Sequence, residues 1–220
     1  MFVFDTRIAE ELVRVAKLLY DKGMASAYEG NVSMRVGEAV YVTPSAICKG
    51  FLRPEQVAVV DLAGRTLHAE GVKPSSEVKM HLAAYRARSD VMGVTHAHSP
   101  FSTAFAVAGR EIATAGYPEM RVLYHKIPLA PYGRPSTDEI WKGTVDLLED
   151  YDCMLLENHG VLTVGKDVWE AYFRLESVES IAKVLYLNET LGGPKNLPEA
   201  ELAELAKMHA ATRARTPVKR

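Results

Sequence analysis

The chain has 220 residues, 48% of them hydrophobic and 25% charged, with a formal net charge of −2. That length suits one large domain with a sizeable core, and the charge offers neither a basic footprint for nucleic acid nor a polybasic patch for a membrane surface. Two cysteines, Cys48 and Cys153, lie far apart without a C-x-x-C spacing, and no run approaches the roughly 20 apolar residues of a membrane-spanning helix.

The segment Met1 to Asp5 lacks a cationic region and a long apolar stretch, so no signal peptide is expected and a reducing cytoplasm is the expected location. From Asp5 onward, Ile8, Leu12, Val15, Leu18 and Leu19 recur at helical spacing, with Gly23 placed to end the helix. Val32 to Val36 and Ala39 to Thr43 flank Gly37-Glu38 and predict a β-hairpin. Val57 to Asp61 reads as a strand, and Ala63-Gly64 turns the chain into Arg65 to His68. Ser75 or Ser76 is placed to cap a helix to about Arg88, with Val78, His81, Leu82 and Tyr85 on one stripe. A strand over Val91 to His98 and a short helix from Ser99 to Val107 follow. Val122 to Ile127 reads as a strand, and Ser136 to Leu148 as an amphipathic helix capped at its start. Cys153 to Leu156 and Val161 to Val164 are strands around a turn. A long helix runs from Asp167 to about Leu191, halted by Gly192-Gly193-Pro194, and a last helix starts near Pro198. No repeat or low-complexity segment interrupts this order. Residues 192–220 form a C-terminal arm of a single domain spanning 1–220, being too short to fold alone. Interleaved helices and strands predict a mixed sheet covered by helices on both faces.

Within that order, His96-Ala97-His98 ends an apolar strand. Strand side chains alternate faces, so two imidazoles at i and i+2 aim at one point. Taken alone, the pair reads equally well as structural. His159, in the turn Glu157-Asn158-His159-Gly160 after a second apolar strand, adds a third imidazole and favours a divalent metal with an open coordination position. Glu77 could be its fourth ligand and a base, although an acid at a helix start also complements the helix dipole. His68, His81, His125 and His209 read as structural. Three small-residue loops could cradle a phosphate: Glu29 to Ser33, Thr43 to Ala46, and Pro74 to Ser76. Each loop alone is equally ordinary turn or cap chemistry. Lys49 reads as a solvated surface lysine.

Taken together, Gly30-Asn31-Val32-Ser33, Thr43-Pro44-Ser45, Pro74-Ser75-Ser76-Glu77, His96-Ala97-His98, Pro128-Leu129-Ala130-Pro131-Tyr132 and Asn158-His159-Gly160 stand in the order and at the intervals of a known family. Over roughly residues 8 to 192 the chain resembles the class II, zinc-dependent sugar-phosphate aldolases of the L-fuculose-1-phosphate aldolase, L-ribulose-5-phosphate 4-epimerase and adducin-head superfamily. The resemblance implies a three-layer α/β/α sandwich with a mixed, mostly antiparallel central sheet. It implies Zn2+ on His96, His98 and His159 with Glu77 on or near the metal, Mn2+ or Co2+ being chemically acceptable substitutes. It implies a phosphate pocket from Gly30, Asn31, Ser45, Ala46, Ser75 and Ser76, and a homotetramer with sites at subunit contacts. The implied reaction is reversible cleavage of a ketose 1-phosphate to dihydroxyacetone phosphate and an aldehyde, with Glu77 as proton carrier and Tyr117 at the aldehyde side.

The chain departs from the aldolase pattern in places. Tyr28-Glu29 precede Gly30 where a small residue is usual, Ala46 stands where Gly is usual, Glu119 is a feature of other branches, and no tyrosine follows Tyr186. Three other readings stay open: a sugar-phosphate 4-epimerase or decarboxylase, an adducin-head-like interaction module, and a zinc hydrolase. The last lacks the H-E-x-x-H spacing.

Overall fold

The computed structural model describes residues 2–134, 137 and 139–214. In chain order the helices are α1 (Thr6–Asp21), α2 (Val78–Ala87), α3 (Pro100–Val107), α4 (Pro118–Tyr124), α5 (Glu139–Leu148), α6 (Val168–Thr190) and α7 (Glu199–Ala214). The strands are β1 (Asn31–Val36), β2 (Ala39–Val42), β3 (Ala58–Asp61), β4 (Thr66–His68), β5 (Gly93–Ala97), β6 (Ile112–Ala113), β7 (Lys126–Ile127), β8 (Leu129–Ala130), β9 (Cys153–Leu156) and β10 (Gly160–Gly165).

Local chemistry explains most boundaries. The Asp5 carboxylate accepts from Arg7 N at 3.0 Å and caps α1, whose Ala9, Leu12, Ala16 and Leu19 face the core. The β1–β2 hairpin turns at Gly37, where φ is +60°. Asp167 caps α6 by accepting from Glu170 N at 2.7 Å.

Eight strands make one sheet in the order β4-β3-β2-β1-β5-β10-β9-β8, antiparallel throughout except for the parallel β8–β9 pair. Alternation along the strands divides the core in two. Val32, Tyr41, Val59, Ala97, Leu155 and Val161 pack on one face with α1, α3 and α6. Val40, Val60, Val94, Met154, Leu156 and Leu162 pack on the other, with Met80, Leu82 and Tyr85 of α2 and Leu148 of α5. The result is the expected three-layer α/β/α sandwich with a mixed, mostly antiparallel sheet.

Several local expectations change. The strand expected over Val122 to Ile127 is α4 up to Tyr124, and only Lys126 and Ile127 are extended. Met120 and Tyr124, four residues apart, pack on the core, while α7 covers the helix; that packing outweighs the β preference of a short apolar run. The central strand is shorter than Val91 to His98, with His98 just beyond its end. The helix expected from Ser75 begins at Val78, so Glu77 occupies the cap position without making a side-chain cap bond. Strands β6 and β8 have no counterpart among the elements expected from the sequence. The expected cap Ser136 lies outside the described residues.

Candidate metal centre

The site forms where one end of β1, β5 and β10 meets the start of α2. Antiparallel register sets Asn31 of β1 opposite His96 of β5, and Leu162 of β10 on the other side of His96. His159 comes from the tight β9–β10 turn, where His159 N donates to Leu156 O at 3.0 Å and Asn158 takes φ +56°. Asparagine tolerates that left-handed backbone better than most residues.

The three imidazoles converge. Ring centroids lie 5.1 Å apart for His96–His98, 4.7 Å for His96–His159 and 4.9 Å for His98–His159. One ring nitrogen from each lies within 4.8 Å of those of the others. His96 Nδ1 donates to Val161 O at 2.9 Å, which leaves its Nε2 as a bare lone pair. Burial depresses the pKa of His96 to about 3, with Glu77 partly opposing, so the ring is neutral. That lone pair faces His98 Nε2 at 3.2 Å and Glu77 Oε2 at 3.4 Å, while His159 Nε2 lies 3.1 Å from Glu77 Oε1. Two acceptors facing each other in a buried place need a proton or a cation between them. Ligands about 2.0–2.1 Å from a tetrahedral zinc are separated from one another by about 3.3–3.4 Å. The 3.2 Å between His96 Nε2 and His98 Nε2 falls on that scale, and one nitrogen of each of the three rings lies within 4.8 Å of the others, so the three histidines fit a divalent metal, with Glu77 meeting His96 and His159 through its two different oxygens.

Glu77 is held as a carboxylate. Burial opposes ionisation, but the hydrogen-bonding His159 ring and the Asn31 amide favour the charged form, and the pKa lies below the ordinary carboxylate range. Asn31 Nδ2 donates to Glu77 Oε2 at 2.8 Å. The side chain therefore turns toward the histidines rather than back over the helix start. His98 carries a further neighbour: Glu29 Oε1 lies 3.5 Å from its Nδ1. The acidic residue that precedes Gly30 thus faces an imidazole.

The three small-residue loops are tied together. Ser45 N donates to Lys73 O at 3.0 Å, Ser75 N to Thr43 O at 3.2 Å, and Ser76 N to Ser45 Oγ at 3.0 Å. Ser45 Oγ donates in turn to Pro74 O at 3.1 Å. Ser75 Oγ accepts from Glu77 N at 3.2 Å, which leaves its hydroxyl proton available. Gly30 and Ala46 both lie at positive φ, +70° and +57°. Lys49 is not a solvated surface lysine: it is 1% exposed, and its Nζ donates to Ile47 O at 3.0 Å and Tyr28 O at 3.2 Å. Burial lowers its pKa to about 8. It cross-links the Gly30 loop to the Ala46 loop, a role that a long-range contact defines and local sequence does not announce. Tyr117 stands apart. It occupies the cap position of α4, and among the described residues its side chain makes no hydrogen bond to the histidines or Glu77.

Residues 10–186 match the model of the "Class II Aldolase and Adducin N-terminal domain" family. The chain belongs to this family. An L-fuculose phosphate aldolase of Methanococcus maripaludis is 33% identical over 181 residues, covering 82% of this chain and 97% of the relative. A 3-oxo-tetronate 4-phosphate decarboxylase of Escherichia coli is 32% identical over 208 residues, covering 91% and 96%. The solved structure of an L-fuculose 1-phosphate aldolase superposes with a TM-score of 0.84 at 27% identity, over 93% of this chain and 96% of that one. Among the described residues of this class II aldolase-family chain, the three histidines form a group that could hold a metal ion. No helix among the described residues is long and apolar enough to cross a membrane.

Proposed function

We propose that this chain is a metal-dependent lyase that reversibly cleaves a ketose 1-phosphate, of the L-fuculose 1-phosphate type, to dihydroxyacetone phosphate and an aldehyde. The observation that carries the reading is the convergence of three imidazole nitrogens, within 4.8 Å of one another, beside the hydrogen-bonded carboxylate of Glu77. Membership of the family and similarity to L-fuculose phosphate aldolase support it. His96, His98, His159 and Glu77 would hold the metal, with zinc the favoured ion and manganese or cobalt acceptable to the same donors. A divalent cation there supplies Lewis acidity toward the oxygens on which negative charge develops as the C3–C4 bond breaks.

The protein's own groups do the rest. The Ser75 and Ser76 hydroxyls, the second amide proton of Asn31 and the backbone N–H groups of Gly30 and Ala46 bind the phosphate. Ser45 shapes that loop through Ser76 N and Pro74 O. In the synthetic direction the ionised Glu77 takes a proton from C3 of dihydroxyacetone phosphate; in cleavage the C4 hydroxyl gives up its proton as the C3–C4 bond breaks, and Glu77 delivers a proton to C3. Tyr117 serves the aldehyde side in a homotetramer whose sites lie at subunit contacts. The free thiols Cys48 and Cys153 fit a cytoplasmic enzyme.

A screen of ketose 1-phosphates, with detection of dihydroxyacetone phosphate and with a chelator arm, tests the reading. Chelator-sensitive release is expected, and its absence for every ketose 1-phosphate rejects the aldolase. Glu77→Gln is expected to keep the three imidazoles but lose hydrogen exchange between dihydroxyacetone phosphate and solvent. Wild-type exchange in that variant removes the proton-carrier role. A second reading, decarboxylation of a sugar-acid phosphate, is favoured by the Escherichia coli relative and its longer match. Carbon dioxide release in the same screen selects it.

A further inference from the structure

Behind Glu77 lies a row of buried polar side chains of which the proposed reaction uses only Asn31. Asn31 Oδ1 lies 2.5 Å from His81 Nε2, His81 Nδ1 lies 2.7 Å from Ser33 Oγ, and Ser33 Oγ lies 2.7 Å from the Tyr85 hydroxyl. Ser33 and His81 are fully buried, Tyr85 is 1% exposed and Asn31 3%. His81 and Tyr85 sit four residues apart on one face of α2, and Asn31 and Ser33 sit two apart on one face of β1. The row therefore runs along a helix–strand seam to Glu77.

We propose that Tyr85, Ser33, His81 and Asn31 form a hydrogen-bond chain of one fixed direction, in which His81 is a positioning residue for the Glu77 carboxylate. The direction follows from donor arithmetic. Asn31 presents Nδ2 to Glu77 Oε2 and Oδ1 to His81. That oxygen needs a donor, so His81 carries its proton on Nε2. Burial holds the His81 pKa down to about 4, so at pH 7 the ring has one proton and Nδ1 has none. Ser33 must then donate to Nδ1, and Tyr85 to Ser33. The Asn31 amide that touches the carboxylate is thereby held against a half-turn that would set its oxygen against Glu77. Each group along the seam is satisfied in this direction, and reversing any one leaves a buried lone pair facing another.

The part of the inference that concerns turnover rests on the reading of Glu77 as proton carrier; the direction of the chain does not. Nitrogen-15 NMR of the histidine rings in the metal-loaded protein at pH 7, assigned with His81→Gln, reads the direction without any substrate. The Nε2–H tautomer of His81 is expected; an Nδ1–H tautomer or a doubly protonated ring overturns the proposal. For turnover, His81→Phe keeps ring volume and removes both polar contacts. It is expected to lower kcat for the ketose 1-phosphate on the order of 10²-fold with KM little changed, the effect of a displaced proton carrier. His81→Gln, whose amide can donate to Asn31 and accept from Ser33, is expected to recover most of that loss. A merely structural histidine would instead lower the melting temperature and leave kcat per metal-loaded protein unchanged, and that result overturns the positioning role. If the wild-type protein cleaves no ketose 1-phosphate, the proposed reaction fails while the NMR measurement still decides the chain.

Discussion

Gly160 follows His159 and lies on the first residue of β10, hard against β5. A Cβ added there would stand 2.6 Å from Ala97 O, 2.9 Å from His98 Cδ2 and 3.3 Å from His96 Cε1. Carbon–oxygen contacts settle at about 3.3–3.6 Å, so Gly160→Ala forces β10 and β5 apart, or the His98 ring aside, by roughly 0.7 Å. Metal–ligand distances tolerate only about ±0.2 Å. The forced shift exceeds that tolerance about threefold, and it falls on the residues that carry two of the three imidazoles. Metal affinity is expected to fall on the order of 10–100-fold, the loss typical of disturbed ligand support. Overpacking is expected to cost about 1–3 kcal/mol of stability in the metal-free protein. Competition with a chromophoric chelator measures the first quantity, and urea unfolding of the metal-free protein the second. A folded Gly160→Ala variant that binds zinc as tightly as the parent would refute the geometry from which the metal centre is built.

Three more outcomes follow from single features. Ala46 takes φ +57°, which costs an alanine roughly 1–2 kcal/mol; after the greater unfolded-state freedom of glycine is counted, Ala46→Gly should stabilise by about 0.5–1 kcal/mol, read as a higher melting temperature. His81 has a folded pKa of about 4 against an ordinary 6.5, so the unfolded chain takes up its proton first as pH falls, and about 3 kcal/mol of stability present above pH 6.5 should disappear by pH 4. Urea midpoints measured across that window should fall less steeply for His81→Gln, and equal slopes would contradict the buried neutral ring. Arg88, with an 8% exposed side chain, holds Asp90 at 2.6 Å and Asp152 at 2.5 Å, so Arg88→Ala should cost about 3 kcal/mol in urea unfolding without changing metal affinity.

Periodicity and turn chemistry made the layers legible in the sequence. The hairpin at Gly37, the stripe of α1, the helix start at Asp167 and the i, i+2 histidines all express short-range rules, and the structure keeps them. The segment Val122 to Tyr124 shows where those rules stop: its residues suit either state, and α7, more than 70 residues later, settles it as helix. The three histidines and Glu77 could be named from residue type, spacing and family resemblance. Their partners could not. Val161 O as the acceptor that frees His96 Nε2, Glu29 beside His98, Lys49 under two loops and His81 behind Asn31 arise from contacts between distant segments. Sequence alone determined which side chains were available and which face of each element they occupied, because helix and strand periods are local properties of the backbone. Only tertiary structure decided which nitrogen carries a proton, which carboxylate stays ionised and which lysine is buried, because those depend on desolvation and hydrogen-bond partners supplied by the rest of the chain.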